Sequence, residues 1–493
     1  MKNINLYWLR NDLRLLDNQA LSYAALKSDV AAIYIYDPKI IKSEDFSFFH
    51  LDFINDSLEE LSNNFTVQGS ALNIFHNEPI EVFQEIAEIF KIKTVISYHD
   101  IKNYATYLRD HELSEYFASK NIQWKKFQNN GVIDGLKNRD GWSKHWNIEM
   151  NKNILKKPNI SRFKKLGGTT GVMNYKTLGI QKYSYNKSFT GGESSALSRL
   201  NVFLKSKGQH YSKHISSPLS AAESCSRLSP YITYGNVSMR FVVSETRKRQ
   251  DQLRQLKMKN GWLSSLSAFS SRLRWHCHFI QKLEMQPSLE NENMVRSFDK
   301  IRTNFNTTFF DQWKAGKVGI PMVDACMRYL KTNGWINFRM RAMLVSFASY
   351  NLWLDWKKTS KYLAKYFIDY EPGIHYNQFQ MQSGVTGINA VRIYNPIKQQ
   401  QDQDPNGDFV RRWVPELENV PNDYLQYPHL MSSAFQKKSG CIIGTTYPEP
   451  IVDVRTSALY ARKRIYEVKS TDEAKRQSRA AYLLHGSRKK SKK

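Results

Sequence analysis

The string Cys225-Ser226-Arg227-Leu228-Ser229-Pro230 brings a thiol and two hydroxyls up to a proline suited to the first turn of a helix. Backbone N–H groups at a helix start, joined by side-chain hydroxyls, suit a phosphate. The plainer reading is an N-cap by Ser226 or Ser229, and on spacing alone that reading is preferred. Arg341 and Asp369, taken singly, read as a structural ion pair, and Trp275 reads as a core tryptophan on an amphipathic helix. His375 belongs to the one side-chain type that titrates near neutral pH when unperturbed. The four cysteines, Cys225, Cys277, Cys326 and Cys441, form no C-x-x-C pair. A zinc ribbon or ferredoxin-like cluster is therefore not expected, and no metal site is assigned.

These residues need elements to hold them. Residues 4–9, 30–36, 71–75 and 94–98 read as strands, separated by helical patterns at 53–61 and 80–90 and by a helix that Asp17 can cap. Alternating β and α units predict an α/β domain with a parallel, Rossmann-like sheet, taken as five-stranded, over residues 1–130. Residues 131–205 carry many lysines and arginines with little periodicity, and read as a long basic surface connection. From 206 to 485 helical signals dominate. Pro321 sits near the first position of one helix and Asn333-Gly334 stops it; another is expected over 336–354. The basic end, 486–493, reads as a disordered tail.

Composition narrows the partners. The chain has 493 residues, 72 Lys+Arg against 45 Asp+Glu, a net charge of +27, and 13% aromatic residues. A surplus this large self-repels unless a polyanion screens it, so nucleic acid is the expected partner. Aromatic enrichment suits stacking on flat ligands or bases. No apolar stretch reaches 18 residues and the N-terminus has no signal-peptide pattern, so a soluble intracellular, cytoplasmic protein is expected, with no membrane partner.

Five motifs carry a family resemblance. The opening Leu6-Tyr7-Trp8-Leu9-Arg10-Asn11-Asp12-Leu13-Arg14-Leu15-Leu16-Asp17-Asn18 is followed, in order, by Ser226-Arg227-Leu228-Ser229-Pro230-Tyr231, Ser271-Arg272-Leu273-Arg274-Trp275, Gly319-Ile320-Pro321-Met322-Val323-Asp324-Ala325-Cys326-Met327-Arg328 and Arg392-Ile393-Tyr394-Asn395-Pro396. Together with the closing segment 404–417, they resemble the DNA photolyase/cryptochrome family over nearly the whole chain. The resemblance implies an antenna domain followed by an all-α FAD-binding domain.

Tyr211, Cys225, Ser226, Arg227, Leu228 and Ser229 then fall at the flavin phosphates; the family usually has Thr at Cys225. Arg341 and Asp369 fall beside the flavin ring, with Tyr370, Glu371, Phe338, Trp275, His276, Arg272 and His375 also in its surroundings. Trp275 matches the tryptophan that stacks on lesion bases, and Lys213, Arg272 and Arg339 match DNA contacts. Trp356 matches one tryptophan of the electron chain to the flavin. Phe379 replaces the member nearest the flavin, leaving Trp353, Tyr350, Tyr376 and Trp335 as candidate substitutes. His375 stands where an Asn often faces the flavin, and is read either as a group that titrates near neutral pH or as a neutral, hydrogen-bonded one. Arg272 replaces the lesion-contacting Glu.

The resemblance implies light-driven repair of cyclobutane pyrimidine dimers by reduced FAD, with Trp275, Trp356, His375 and Arg341 carrying the reaction. UV-damaged DNA would be the partner and the protein a monomer. A second, antenna chromophore (a folate, a deazaflavin or another) is implied without being identified. The alternatives are a cryptochrome-type photoreceptor, a photolyase for another lesion and a DNA-binding flavoprotein without catalysis.

Overall fold

A computed structural model describes residues 1–128, 130–257 and 260–486. The expected tail therefore lies, from residue 487, outside the described residues.

The first part is a five-stranded sheet: β1 (Lys2–Leu9), β2 (Val30–Tyr36), β3 (Leu72–His76), β4 (Phe90–Tyr98) and β5 (Gln123–Phe127), in the order β3-β2-β1-β4-β5. Every pairing is parallel. Parallel sheets need helices on both faces, and the central strands are accordingly almost continuously apolar and buried. Chain order reverses between β1 and β4, and at such a switch point a crevice opens beyond the carboxyl ends of the strands. A cavity lies there, lined among others by Trp8, Arg10, Tyr34, Asp37, Arg109 and Tyr370.

Two local expectations are corrected. The first helix is Gln19–Ala25, and Asn18, not Asp17, caps it by accepting from the Leu21 N–H. Asp17 takes a left-handed φ of 52°. Its carboxylate accepts instead from Arg240 (2.5 Å) and Ser238 (2.5 Å), in the helical half of the chain. The stretch 131–205 is likewise no bare surface loop. It holds the helices Trp142–Met150 and Glu193–Lys205, and it buries Trp142, Trp146, Phe163, Phe189 and Phe203. Its lysines gave a surface signal that masked these widely spaced aromatic anchors.

The second part is helical. Its spine is Trp262–Met285, packed against Pro372–Ser383 where Gly373 lets the two backbones meet: a Cβ there would lie 2.6 Å from Ile280 Cα. Pro321–Asn333 runs as expected, with Pro321 in the first turn and Gly334 closing it at φ 67°. The next helix is shorter than the expected 336–354. It spans Phe338–Ser346, continues as a π-type turn over Phe347–Asn351, and ends before Trp353, which sits at φ 53°.

The two parts are tied through buried polar contacts. Arg14 donates to the Gly235 carbonyl (2.9 Å), and Glu193 accepts from the Leu15 N–H (2.6 Å). Lys102 pairs with Glu371 (2.5 Å). Among the described residues no helix is long and apolar enough to cross a membrane.

Candidate functional site

Three segments converge: the Trp262–Met285 helix, the start of Phe338–Ser346, and the loop leading into Pro372–Ser383. Arg341 and Asp369 form a two-pronged pair, Nη1 to Oδ1 at 2.9 Å and Nη2 to Oδ2 at 3.0 Å. Arg341 Nε donates to the Ile336 carbonyl (2.7 Å), and the guanidinium lies 4.2 Å from the Phe367 ring centre. The fork geometry fixes the plane of the cation, which a lysine would not do.

Near this pair are buried polar atoms with no protein partner, both ring nitrogens of His276, Asn337 Oδ1 and Glu371 Oε1, and Asn377 Oδ1 on the Pro372–Ser383 helix is likewise unpartnered. Orphaned buried groups are rare in folded proteins, and a cluster of them marks a place where something polar belongs. Burial pushes the His276 pKa down to about 3, with Lys102 adding to the effect and Asp369 opposing it, so its ring is neutral. One residue away on the same helix, Trp275 is 48% exposed; Phe338 is 42% exposed. Arg272 lies over the Trp275 ring at 5.1 Å and beside the Tyr211 hydroxyl. Trp275 is therefore not the core tryptophan that its helix alone would suggest.

The Cys225–Ser229 stretch is placed less uniformly. Burial pushes the Cys225 thiol up to about 12, so it stays protonated. Ser226 Oγ accepts from the Leu228 N–H (3.4 Å) and caps no longer helix, because Ser229–Thr233 is only five residues long. Arg227, at φ 51°, sends its guanidinium to Ser188 and to the Phe189 and Trp335 rings, away from the Arg341 group. Tyr211 is buried and burial raises its pKa. Lys213 is exposed on the short helix Tyr211–His214, and Arg339 is half-buried with an unpartnered Nε.

Other expected residues turn elsewhere. The Tyr370 hydroxyl donates to Asp45 (2.6 Å) and lies 3.0 Å from the Tyr376 hydroxyl, facing the first domain's cavity. Glu371 is tied to Lys102 through one oxygen only. His375 is buried, with Nε2 2.9 Å from the Ser360 carbonyl, and burial pushes its pKa down to about 4. Of its two readings, titrating near neutral pH or neutral and hydrogen-bonded, the burial and the Ser360 contact favour the second.

Trp356 is buried, donates to Asn293 Oδ1 (2.7 Å), and lies 6.4 Å from the Tyr376 ring. Tyr376 is 5.4 Å from His375, and His375 is 4.5 Å from Phe379. Of the candidate substitutes, Trp353 stacks with Arg302 and Tyr460, and Trp335 with Arg227; neither is on this ring series.

Asn337 and Asn377 were not singled out from sequence. Asn377 donates to the Gly373 carbonyl (2.6 Å) while its oxygen is orphaned; Asn337 donates to the Ile215 and Ser216 carbonyls instead of capping its own helix. An asparagine just before a helix signals a cap, and only the fold reveals that this one does not cap.

An α/β domain with a switch-point cavity, joined to a helical domain with a fixed Arg–Asp pair among unsatisfied polar atoms, defines a two-domain cofactor-binding protein. The pattern described as DNA photolyase matches residues 5–139, and that described as the FAD binding domain of DNA photolyase matches residues 269–467. The chain belongs to the DNA photolyase/cryptochrome family.

Among its relatives is a deoxyribodipyrimidine photo-lyase of Alkalihalophilus pseudofirmus, 28% identical over 90% of this chain and 94% of that one. A cryptochrome DASH of Synechocystis is also 28% identical, over 94% of this chain and 98% of that one. A class III photolyase structure from Agrobacterium tumefaciens superposes with a TM-score of 0.81 at 24% identity, covering 96% of this chain and 98% of its own.

The helical domain is thus of the FAD-binding type, and its residues fit that cofactor. The planar Arg341 cation suits an electron-rich ring, and the orphaned His276 and Asn337 atoms suit a ligand rich in hydroxyls and phosphates. Among the described residues no group of three or more His, Cys, Asp or Glu is arranged to hold a metal.

Proposed function

We propose that the protein is a light-driven DNA repair enzyme acting on cyclobutane pyrimidine dimers. The observation that carries this reading is the exposed Trp275, with Arg272 over its ring, one residue from the buried His276 that faces the Arg341–Asp369 group. A damaged base pair must leave the duplex to reach a buried cofactor, and an aromatic plate replaces the stacking lost on the way. When bound, reduced FAD supplies the absorption of blue light and the electron that splits the cyclobutane ring.

This chain's own residues do the rest. Arg341, held by Asp369, presents a fixed positive charge that favours an anionic reduced ring. His276, Asn337, Tyr211, Cys225, Ser226 and Ser229 hold the polar parts of the cofactor. Lys213, Arg272 and Arg339 meet DNA phosphates, which position the duplex without reading its sequence. Trp356 and Tyr376 pass electrons inward. No proton-transfer pair is required, since the cofactor carries the bond cleavage. The switch-point cavity of the first domain would take an antenna chromophore.

The test compares light and dark samples of reduced protein with an oligonucleotide carrying one thymine dimer. Light-dependent recovery of thymines supports the reading. A flavin-loaded sample with no recovery moves the protein to the second reading, a cryptochrome-type photoreceptor. One observation favours that alternative: a cation, Arg272, stands where the lesion-contacting carboxylate of the family is expected.

A further inference from the structure

We propose that the cleft between the helix Glu193–Lys205 and the loop 225–227 binds a phosphorylated small molecule, with Arg199 and Arg227 as its paired anion ligands. The cleft is a cavity of about 710 Å³, within the range of small-ligand sites. It is walled by Arg199, Lys207 and Ser198 on one side and by Ser226 and Arg227 on the other. None of the Arg341 group lines it, although Cys225 and Ser226, the candidates for the FAD phosphates, stand on its wall.

The two guanidiniums are the argument. Both pack on the Phe189 ring, at 5.3 Å for Arg199 and 4.2 Å for Arg227. Like charges sharing one ring are close enough to repel, and Arg227 is held below its ordinary value by burial first and by Arg199 second. Among the described residues no carboxylate pairs with either. Their hydrogen bonds go to a single residue, Ser188: Arg199 Nη2 donates to its carbonyl (3.4 Å) and Arg227 Nη2 to its hydroxyl (2.7 Å). Each keeps a buried Nε with no partner.

Ring stacking offsets only part of the cost of partly burying two such cations, and an anion would offset the rest. Lys187 at the rim is already neutralised by Asp52 (2.8 Å) and Asp56 (2.9 Å), and Glu223 is the exposed acid of the cleft. Two planar forks facing serine hydroxyls match the donor pattern that phosphate oxygens accept. Tyr231, Phe203 and Val202 add an apolar wall, which suits a nucleotide better than free phosphate.

The test uses the flavin-loaded protein, titrated calorimetrically with inorganic pyrophosphate and with ADP. The expected result is saturable binding of both probes. It should weaken at least about tenfold in Arg199→Gln, the loss of a charge-assisted hydrogen bond, and by less in the exposed Lys207→Gln, with flavin absorbance unchanged throughout. Without ligand, Arg199→Gln should melt no lower than the parent, because it removes a like-charge contact; with pyrophosphate only the parent should gain in Tm. Absence of binding at millimolar probe, binding that survives Arg199→Gln, or release of FAD on adding pyrophosphate would each overturn the proposal. The last would assign the cleft to the flavin site itself. Flavin retention is read in the same sample, so failure here is separable from failure of the repair reading.

Discussion

His375 offers a direct check on the electrostatics of the site. Its ordinary value of 6.5 falls to about 4 because the ring is buried, with the Arg341 cation adding to the effect and the Ser360 carbonyl at Nε2 opposing it. A histidine depressed in the folded state binds fewer protons there than when unfolded. Its contribution to stability is therefore complete above pH 6.5 and is lost as pH falls from 6.5 through about 4. The gap of about 2.5 pH units, at about 1.4 kcal/mol each, makes that contribution about 3 kcal/mol. His375→Asn removes the titration and leaves the Ser360 carbonyl without its donor, a cost that does not depend on pH. His50, His276, His278 and His485 are depressed in the same direction but are common to both proteins, so they cancel in the difference. Urea midpoints for parent and variant, taken from pH 7.5 to pH 4.5, should converge by about 2 to 3 kcal/mol as the pH falls. Parallel curves would refute the buried, neutral assignment. Between pH 6.5 and 8 the parent's light response should show no step attributable to His375.

Four further outcomes are expected. Trp275→Ala should weaken binding to dimer-containing DNA roughly 5- to 150-fold, the worth of about 1–3 kcal/mol of base stacking, without lowering the flavin content of the purified protein; equal affinity for the two proteins would remove the stacking role. Asp369→Asn takes the carboxylate from a largely buried pair and should cost about 3 kcal/mol of stability and some FAD retention, read by denaturation and by the flavin-to-protein absorbance ratio. Trp356→Phe should slow photoreduction of the bound flavin while chemically reduced samples keep their repair activity, a split that transient absorption and the dimer assay read separately. Affinity for DNA should fall steeply with salt: with only three phosphates neutralised, a rise from 50 to 200 mM salt weakens binding about fortyfold, and a flat titration would count against the basic surface as the DNA contact.

The elements most legible in the sequence are those fixed by local rules. Pro321 and Gly334 bracket a helix because one lacks the N–H that a first turn leaves unused and the other tolerates a positive φ. The strands of the parallel sheet show as apolar runs because both faces are covered. What was not legible depends on contacts between distant segments. Asp17 looks like a helix cap, but the cap is Asn18, since a partner more than 200 residues away claims the Asp17 carboxylate. His375 looks able to titrate, because its pKa is set by the packing of Phe367, Tyr370 and Phe379 around it, which periodicity does not reveal. Arg227 lies in the phosphate-like motif, yet its left-handed backbone turns the guanidinium to Ser188 and Phe189.

The opening motif shows how a string can mark a family without carrying its chemistry. Arg10 is consumed by a two-pronged pair with Asp110 at 2.8 and 2.6 Å, and Asp12 accepts from the Arg10 N–H and the Tyr7 hydroxyl. Arg14 reaches the Gly235 carbonyl, Leu15 and Leu16 donate to Glu193, and Asp17 holds Arg240. Arg14, Leu15, Leu16 and Asp17 thus seat the helical half against the sheet, while Arg10 and Asp12 are tied within the sheet domain. Gly235 is part of the same seam: a Cβ there would lie 2.1 Å from the Asn11 carbonyl oxygen, so the backbones touch. The Lys102–Glu371 pair and the Tyr370–Asp45 bond extend the seam to the loop that carries Asp369. The position of the Arg341–Asp369 group is consequently set from both sides, by its own helices and by the sheet domain. That coupling gives a physical reason for the α/β domain to sit beside a site whose candidate cofactor-holding residues belong to the other half of the chain.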